Sequence, residues 1–392
     1  MISVSQALDA LFALTRSTDV EEVPLIEASG RVLARDVTAR RDQPPFAASA
    51  MDGYAICESD HSQGQTLEVI GEAPAGHRFS GVISPGQAVR IFTGGVVPEG
   101  ATRIIIQEDV TRVGDKITLG DRLEEASHIR PAGCDFQYGS TLAASRRLSP
   151  EDVALLASMN VPMVPVHRAP KVALISTGDE LVMPGEVPKD DQIIASNTFG
   201  LHALLRSLGA DARLLPIAPD RESGLRLCFD LAQDADLIVT IGGASVGDHD
   251  IVAQVMASTN TDAARSFYKV AMRPGKPLMA GRWGGTMMVG LPGNPVSAMV
   301  CGHVFLAPVV RAMQGLPAAP APRDQASLTE DMGPNGPREH YMRALLTADG
   351  IRPFARQDSS LLTVLSSANA LMVRPPHDGP HKAGTMMPYL PL

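Results

Sequence analysis

Asp236-Leu-Ile-Val-Thr-Ile-Gly-Gly-Ala-Ser-Val-Gly-Asp-His-Asp250 decides how the fold of this chain is read. The apolar run from Leu237 to Ile241 has the length and β-branched content of a buried strand. It stops at Gly242 and Gly243, small residues including Ser245 follow, and Asp248 and Asp250 stand where a helix would begin. In an open α/β sheet, ligands bind beyond the carboxyl ends of the strands, where main-chain N–H groups and helix starts favour anions. Glycines there let the main chain approach a phosphate with no Cβ in the way. Carboxylates in such a loop repel phosphate unless a cation or a hydrogen-bond-donating group lies between. The loop therefore fits a ligand with phosphate, a metal and a donor-rich edge. A strand–turn–helix corner with a capping Asp accounts for the same residues.

Working outward, residues 171–314 alternate strand and helix. Strands are expected at Val172–Ser176, Leu214–Ile217, Phe267–Ala271 and Met287–Val289. Helices are expected at Asn197–Leu208, Glu222–Ala232 and from Pro295 to Met313. That alternation predicts a doubly wound parallel sheet. Residues 42–139 have another texture: short β-like runs (Leu67–Ile70, Ala88–Phe92, Arg103–Gln107, Lys116–Leu119) broken by Gly and Pro, as in a small all-β module. Residues 3–16 read as an amphipathic helix. Ser149-Pro-Glu-Asp opens another, with a cap, a proline in the first turn and acidic residues behind it. Leu316-Pro-Ala-Ala-Pro-Ala-Pro-Arg reads as a linker, and short strands and turns follow it.

Composition sets the outer bounds. A chain of 392 residues exceeds one ordinary core; at about 150 residues per domain it holds two to four. The formal net charge of −9 argues against a general nucleic-acid or anionic-membrane surface but leaves room for a local cationic pocket. Cys57, Cys134, Cys228 and Cys301 are scattered without a C-x-x-C pair, which indicates neither a structural zinc site nor a disulfide framework and fits a reducing cytoplasm. The N-terminus has no cationic lead and no long apolar core. No segment is expected to reach the ~20 apolar residues that span a bilayer.

Five further stretches carry possible chemistry. Ser49-Ala-Met-Asp-Gly-Tyr54 places Asp52 at a turn, and Ile91-Phe-Thr-Gly-Gly95 places Thr93 at another; each alone is also an ordinary turn. Ser176-Thr-Gly-Asp-Glu-Leu181 puts Asp179 and Glu180 at the site-forming end of the sheet. Residues 269–277 bring Lys269, Arg273 and Lys276 close together in an acidic protein, as an anion site or a solvated charge run. Gly290-Leu-Pro-Gly-Asn-Pro295 leads into the long helix, with Asn294 as cap. There is no G-x-x-x-x-G-K-[ST] loop and no G-x-G-x-x-G after a strand, so P-loop hydrolysis and dinucleotide binding are unsupported.

Taken in order, Pro-Phe-Ala-Ala-Ser-Ala-Met-Asp-Gly-Tyr-Ala, Arg-Ile-Phe-Thr-Gly-Gly, Ser-Thr-Gly-Asp-Glu-Leu, the glycine loop, Pro-Gly-Lys-Pro and Gly-Leu-Pro-Gly-Asn-Pro resemble the MoeA family. These are the molybdopterin molybdenumtransferases related to the E domain of gephyrin. Arg-Glu-His-Tyr-Met-Arg-Ala and Ser-Ser-Ala-Asn-Ala-Leu extend the likeness almost to the C-terminus. The resemblance implies an elongated homodimer of four-domain α/β subunits. Its divisions here are a linker and dimerisation region (1–44 and 140–168), a β-rich insertion (45–139), an α/β molybdopterin-binding domain (169–316) and a C-terminal β domain (317–392). It also implies insertion of molybdate into molybdopterin from adenylylated molybdopterin with Mg2+, releasing AMP.

By the same likeness, Asp52, Thr93, Asp135 and Glu180 fall on catalytic positions. Gly242, Gly243, Ser245, Asp248, Asp250, Asp220, Lys269, Pro292 and Pro295 fall on substrate-binding positions. Arg273, Lys276, Pro277, Arg343 and Ser367 match a molybdate pocket, and Asp52, Glu180 and Asp250 are the expected magnesium ligands. Two departures stand out: Arg273 replaces a common lysine, which changes donor geometry, and Ala244 replaces a larger aliphatic.

The residue types suit that chemistry. Molybdate is a dianion without an apolar handle and needs Arg and Lys donors. Magnesium takes hard oxygen ligands and bridges carboxylate to phosphate. A pterin's amino-pyrimidinone edge offers parallel N–H donors to a carboxylate. Two rivals are a molybdopterin adenylyltransferase, whose likeness would cover only the α/β unit and carry a Gly-Gly-Thr-Gly loop, and a non-catalytic gephyrin-like scaffold. The retained carboxylates and cationic run disfavour the scaffold.

Overall fold

The computed structural model describes residues 1–242, 252 and 267–392. Gly243, Ser245, Asp248 and Asp250 of the glycine loop lie outside the described residues.

The open sheet runs in the order Asp211–Leu214, Lys171–Ser176, Leu237–Ile241, Thr286–Leu291, Pro277–Trp283, Phe267–Lys269. Its first four strands are parallel. The sheet is not parallel throughout: Pro277–Trp283 runs antiparallel to Thr286–Leu291, and Phe267–Lys269 antiparallel to Pro277–Trp283. Gly284 and Gly285 close the hairpin between Trp283 and Thr286, which the period-based reading passed over. The strand expected at Leu214–Ile217 lies earlier, at Asp211–Leu214.

Both faces are covered, as buried strands require. Along Lys171–Ser176, Val172 and Leu174 face one core, while Ala173 and Ile175 face the other. The first core is closed by Val4–Leu14, Asn197–Ser207 and the helical run from Pro295 to Met313. The second is closed by Glu222–Leu231, whose Phe229 meets the Trp283 ring at 4.5 Å between centroids. The run from Pro295 to Met313 is interrupted by a π turn at Gly302–Leu306. Contrary to the hydropathy expectation, this 19-residue stretch is long and apolar enough to cross a membrane, with mean hydropathy 1.6, but 78% of it is buried in the core.

Preceding the open sheet, Val20–Pro24, Met163–His167, Val32–Leu33 and Arg146–Arg147 form a four-stranded sheet. The Pro150–Ser158 helix beside it starts with a reciprocal Ser149–Asp152 capping box. Two short antiparallel pairs, Val37–Thr38 with Thr141–Leu142 and Ala48–Ser49 with Ile129–Arg130, flank a six-stranded sheet. Its order is Arg103–Ile106, Gly53–Ile56, Gln87–Ile91, Thr66–Ala73, Lys116–Leu119, Val110–Val113. The C-terminal sheet is ordered Met272–Arg273, Glu339–Thr347, Ala370–Arg374, Met386–Pro391, Asp324–Ser327. Its first strand belongs to the segment that leaves the α/β sheet. Met272 and Arg273 pair in parallel with Glu339 and His340, and Tyr341, Leu371 and Val373 join the α/β core.

Gly53 shows how tightly the six-stranded sheet closes beside Asp52. A Cβ there would strike the Ile105 carbonyl on the neighbouring strand. Gly53→Ala is expected to destabilise the protein by about 1–3 kcal/mol, read as a lowered thermal unfolding midpoint; an unchanged midpoint would contradict this packing.

Candidate functional site

A cleft of about 740 Å³ opens beyond the carboxyl ends of Lys171–Ser176, Leu237–Ile241 and Thr286–Leu291. That volume suits an organic ligand. Glu180, Asp220, Gly242, Pro277, Pro292 and Pro295 all line it. Gly242 has φ +91°, and a Cβ would lie 2.6 Å from the Thr177 carbonyl oxygen, so only glycine fits between the strand ends. Asp179 is turned to the scaffold: its Oδ1 accepts from the Asp220 N–H at 3.1 Å. Glu180 and Asp220 are exposed in the cleft. The Asn197 side-chain amide donates to the Gly293 carbonyl at 2.6 Å, tying two loops of the rim. Asn294 stands at the N-cap of the long helix as expected, but its side chain makes no capping bond.

A second cavity of about 260 Å³ adjoins the first, sharing Pro277 and Asn294. This one is small and cationic. Arg273, Lys276 and Pro277 line one wall, and Arg338, Gln357 and Asp358 the other. Arg343 is fully buried; its Nη1 and Nη2 donate to the carbonyls of Asp358 at 3.0 Å and Arg356 at 3.3 Å, and its Nε has no partner. Gln357 locks the same turn by accepting from the Arg343 N–H at 3.0 Å and donating to the Arg343 carbonyl at 2.9 Å. The positive field is legible on His340. Burial, reinforced by Arg273, Arg343, Arg374 and Arg338, pushes its imidazole down to about 4.

The remaining expected residues lie apart from the two cavities. Asp52 and Thr93, read as separate turns, form one unit: the Thr93 N–H and Oγ1 both donate to Asp52 Oδ1, at 2.7 and 2.8 Å. These bonds, with Arg90 nearby, hold the Asp52 carboxyl below its ordinary range. The pair sits on the six-stranded sheet and lines neither cavity. Asp135 is exposed, and its N–H donates to the Gln43 carbonyl at 3.0 Å. Lys269 lies on the edge strand. Ser367 ends the short Leu362–Ser367 helix, with its hydroxyl donating to the Thr363 carbonyl at 2.9 Å. Sequence reading missed Arg338, the 357–360 turn, Ile193 and Ile194 as lining residues. Only the charge of Arg338 offered a signal.

An α/β sheet with a glycine-edged cleft beyond its strand ends, a small cationic cavity beside it and β modules before and after it define a multidomain α/β protein with a ligand-binding cleft. Residues 2–160 match the model of the MoeA N-terminal region (domain I and II), 173–312 that of a "Probable molybdopterin binding domain", and 325–392 that of the MoeA C-terminal region (domain IV). The chain belongs to the MoeA family. It is 35% identical over 395 residues to a molybdopterin molybdenumtransferase of Nostoc sp., covering 96% of this chain and 90% of that one. Molybdopterin molybdenumtransferase 2 of Mycobacterium tuberculosis is 36% identical over 401 residues, covering 99% and 98%. The crystal structure of a molybdopterin biosynthesis MoeA protein from Pyrococcus horikoshii superposes with a TM-score of 0.86 at 27% identity, covering 100% of both chains.

His303, on the π turn, is also pushed down to about 4 by burial. With His303 and His340 both held below 6.5, the unfolded chain binds their protons more readily. Their contribution to stability is present above about pH 6.5 and is lost as pH falls toward 4. The unfolding midpoint should therefore drop across that window, and His340→Gln should flatten the drop. An identical pH profile for the variant would contradict the assignment.

Proposed function

We propose that this chain is a molybdopterin molybdenumtransferase, inserting molybdate into molybdopterin delivered in adenylylated form, with magnesium, and releasing AMP. The observation that carries the reading is the adjoining pair of cavities, one sized for an organic ligand and one small and cationic, meeting at Pro277 and Asn294. The strand-end glycine and proline loops shape the bed for the substrate. Glu180 and Asp220 offer carboxylates to a pterin's donor edge or to a metal. Arg273 and Lys276 hold the molybdate dianion beside the cleft.

Magnesium fits as an ion completed by substrate. Among the described residues, no three Asp, Glu, His or Cys side chains gather as a metal cluster. Magnesium needs only one or two carboxylates when phosphate and water supply the rest, and Glu180 and Asp220 share the cleft. When bound there, it would act as a Lewis acid toward the phosphate charge that develops as AMP leaves. Asp52, held ionised by Thr93 on a different sheet, enters the reaction from a second copy of the chain. The working unit in this reading is a homodimer with each site shared between subunits. The four cysteines, all free in the structure, suit a reducing cytoplasm.

Purified protein given adenylylated molybdopterin, magnesium and molybdate should release AMP and yield active cofactor; no AMP above the enzyme-free control contradicts the transferase reading. Asp52→Asn and Glu180→Gln should each lose at least about tenfold in turnover while keeping the wild-type unfolding profile. Unfolding and refolding the two variants together should restore part of the activity, because mixed dimers hold one intact site. Mixed dimers with no recovered activity would contradict the shared site.

A further inference from the structure

We infer that the Thr177 hydroxyl is a direct hydrogen-bond donor to a phosphoryl oxygen of the ligand held in the large cleft. The inference rests on the substrate reading of that cleft and adds a residue that the family resemblance did not single out.

A missing partner is the starting point. Thr177 is 3% exposed, and its Oγ1 is buried with no hydrogen-bond partner. A buried hydroxyl left unpaired costs free energy, so such groups are few in folded proteins and call for something that completes them. Thr177 directly follows the Lys171–Ser176 strand and lines the cleft. Its Oγ1 lies 3.1 Å from the point that a Cβ on Gly242 would occupy, at the end of the neighbouring strand. Glycine at 242 therefore leaves space beside the hydroxyl.

Thr240 supplies an internal comparison. Its Oγ1 is also buried without a partner, but Thr240 lies within the Leu237–Ile241 strand and is not among the residues that line the cleft. Access to the cleft is what separates the two hydroxyls. The main-chain donors around Thr177 are already used. Its own N–H donates to the Ile241 carbonyl at 3.0 Å, the Gly178 N–H to the Ala218 carbonyl at 3.2 Å and the Gly242 N–H to the Leu291 carbonyl at 3.1 Å.

The chemistry of the cleft decides what the hydroxyl meets. Glu180 and Asp220 line the same cleft and, when ionised, only accept hydrogen bonds. They serve the N–H groups of a ligand and repel its phosphoryl oxygens. The Thr177 hydroxyl is an uncommitted donor at strand ends whose amides are spent, and a donor to an anionic oxygen makes a charge-assisted bond. The phosphoryl oxygen belongs to the pterin-side phosphate or to the nucleotide phosphate of the adenylylated substrate, and both present the same acceptor.

Thr177→Val keeps the shape of the side chain and removes the hydroxyl. In steady-state turnover of the full-length protein with adenylylated molybdopterin, magnesium and molybdate, it is expected to raise KM about 10- to 100-fold and to change kcat little. The unfolding midpoint of the free protein should stay at or above the wild-type value, because the lost hydroxyl had no partner there. Thr177→Ser, which keeps the hydroxyl, should recover most of the KM, and Thr240→Val should leave KM unchanged. Calorimetric titration with AMP separates the two phosphates. Weakened AMP binding by Thr177→Val assigns the contact to the nucleotide phosphate; unchanged AMP binding with a raised KM assigns it to the pterin side. A Thr177→Val KM within about twofold of wild type, a lowered midpoint, or a Thr177→Ser KM as high as that of Thr177→Val overturns the inference while the transferase reading stands. If the wild-type protein releases no AMP, the transferase reading falls, and the role of Thr177 with it.

Discussion

The parallel pairing of Met272 and Arg273 with Glu339 and His340 is the joint on which the cationic cavity depends. A segment that has just left the α/β sheet becomes the edge strand of the C-terminal sheet. Arg273 and Lys276 are thereby set against Arg338 and the 357–358 turn. Apolar burial seals the joint: Val270 and Met272 on one side and Tyr341, Leu371 and Val373 on the other belong to a single core. The two sheets therefore cannot part without exposing that core to water. The geometry of the anion site is a consequence of hydrophobic packing behind it.

Charge is distributed with the same economy. The chain is acidic overall, with a formal net charge of −9, yet Arg273, Lys276 and Arg338 line one cavity where two sheets meet. Nearby arginines in structural roles are engaged by carboxylates or carbonyls: Arg374 pairs with Asp378, and Arg343 donates from both terminal nitrogens to carbonyls, leaving only its Nε without a partner. The cations lining the cavity carry no such ion pairs among the described residues. In the cleft next door the pattern reverses, and Glu180 and Asp220 present carboxylates. A substrate bearing both an oxyanion partner and a donor-edged ring system matches that division.

Much of this was legible in the sequence because it is local. Strand periodicity located Leu237–Ile241 at its observed bounds, and the Ser149 cap announced its helix. The loops at 176–181 and 290–295 declared themselves by following strands in an α/β pattern. Pairings between distant segments were not legible. Nothing in Ser49–Tyr54 or Ile91–Gly95 alone says that Thr93 will bind Asp52. Arg338 reads as one more surface charge until the pairing with residues 272–273 brings it to the cavity. The strand Pro277–Trp283 was missed because its approach, Arg273-Pro-Gly-Lys276, reads as an anion loop and its return turn is a glycine pair. The loop at Gly243–Asp250, which first pointed to a ligand site, still rests on its sequence.

Anomalous diffraction at the molybdenum edge, from crystals of the full-length protein soaked in molybdate, tests the anion cavity most directly. A single strong peak among Arg273, Lys276 and Arg338, beside the cleft lined by Glu180 and Asp220, is the predicted result. A peak at another position, or none at molybdate concentrations that support turnover, would contradict it.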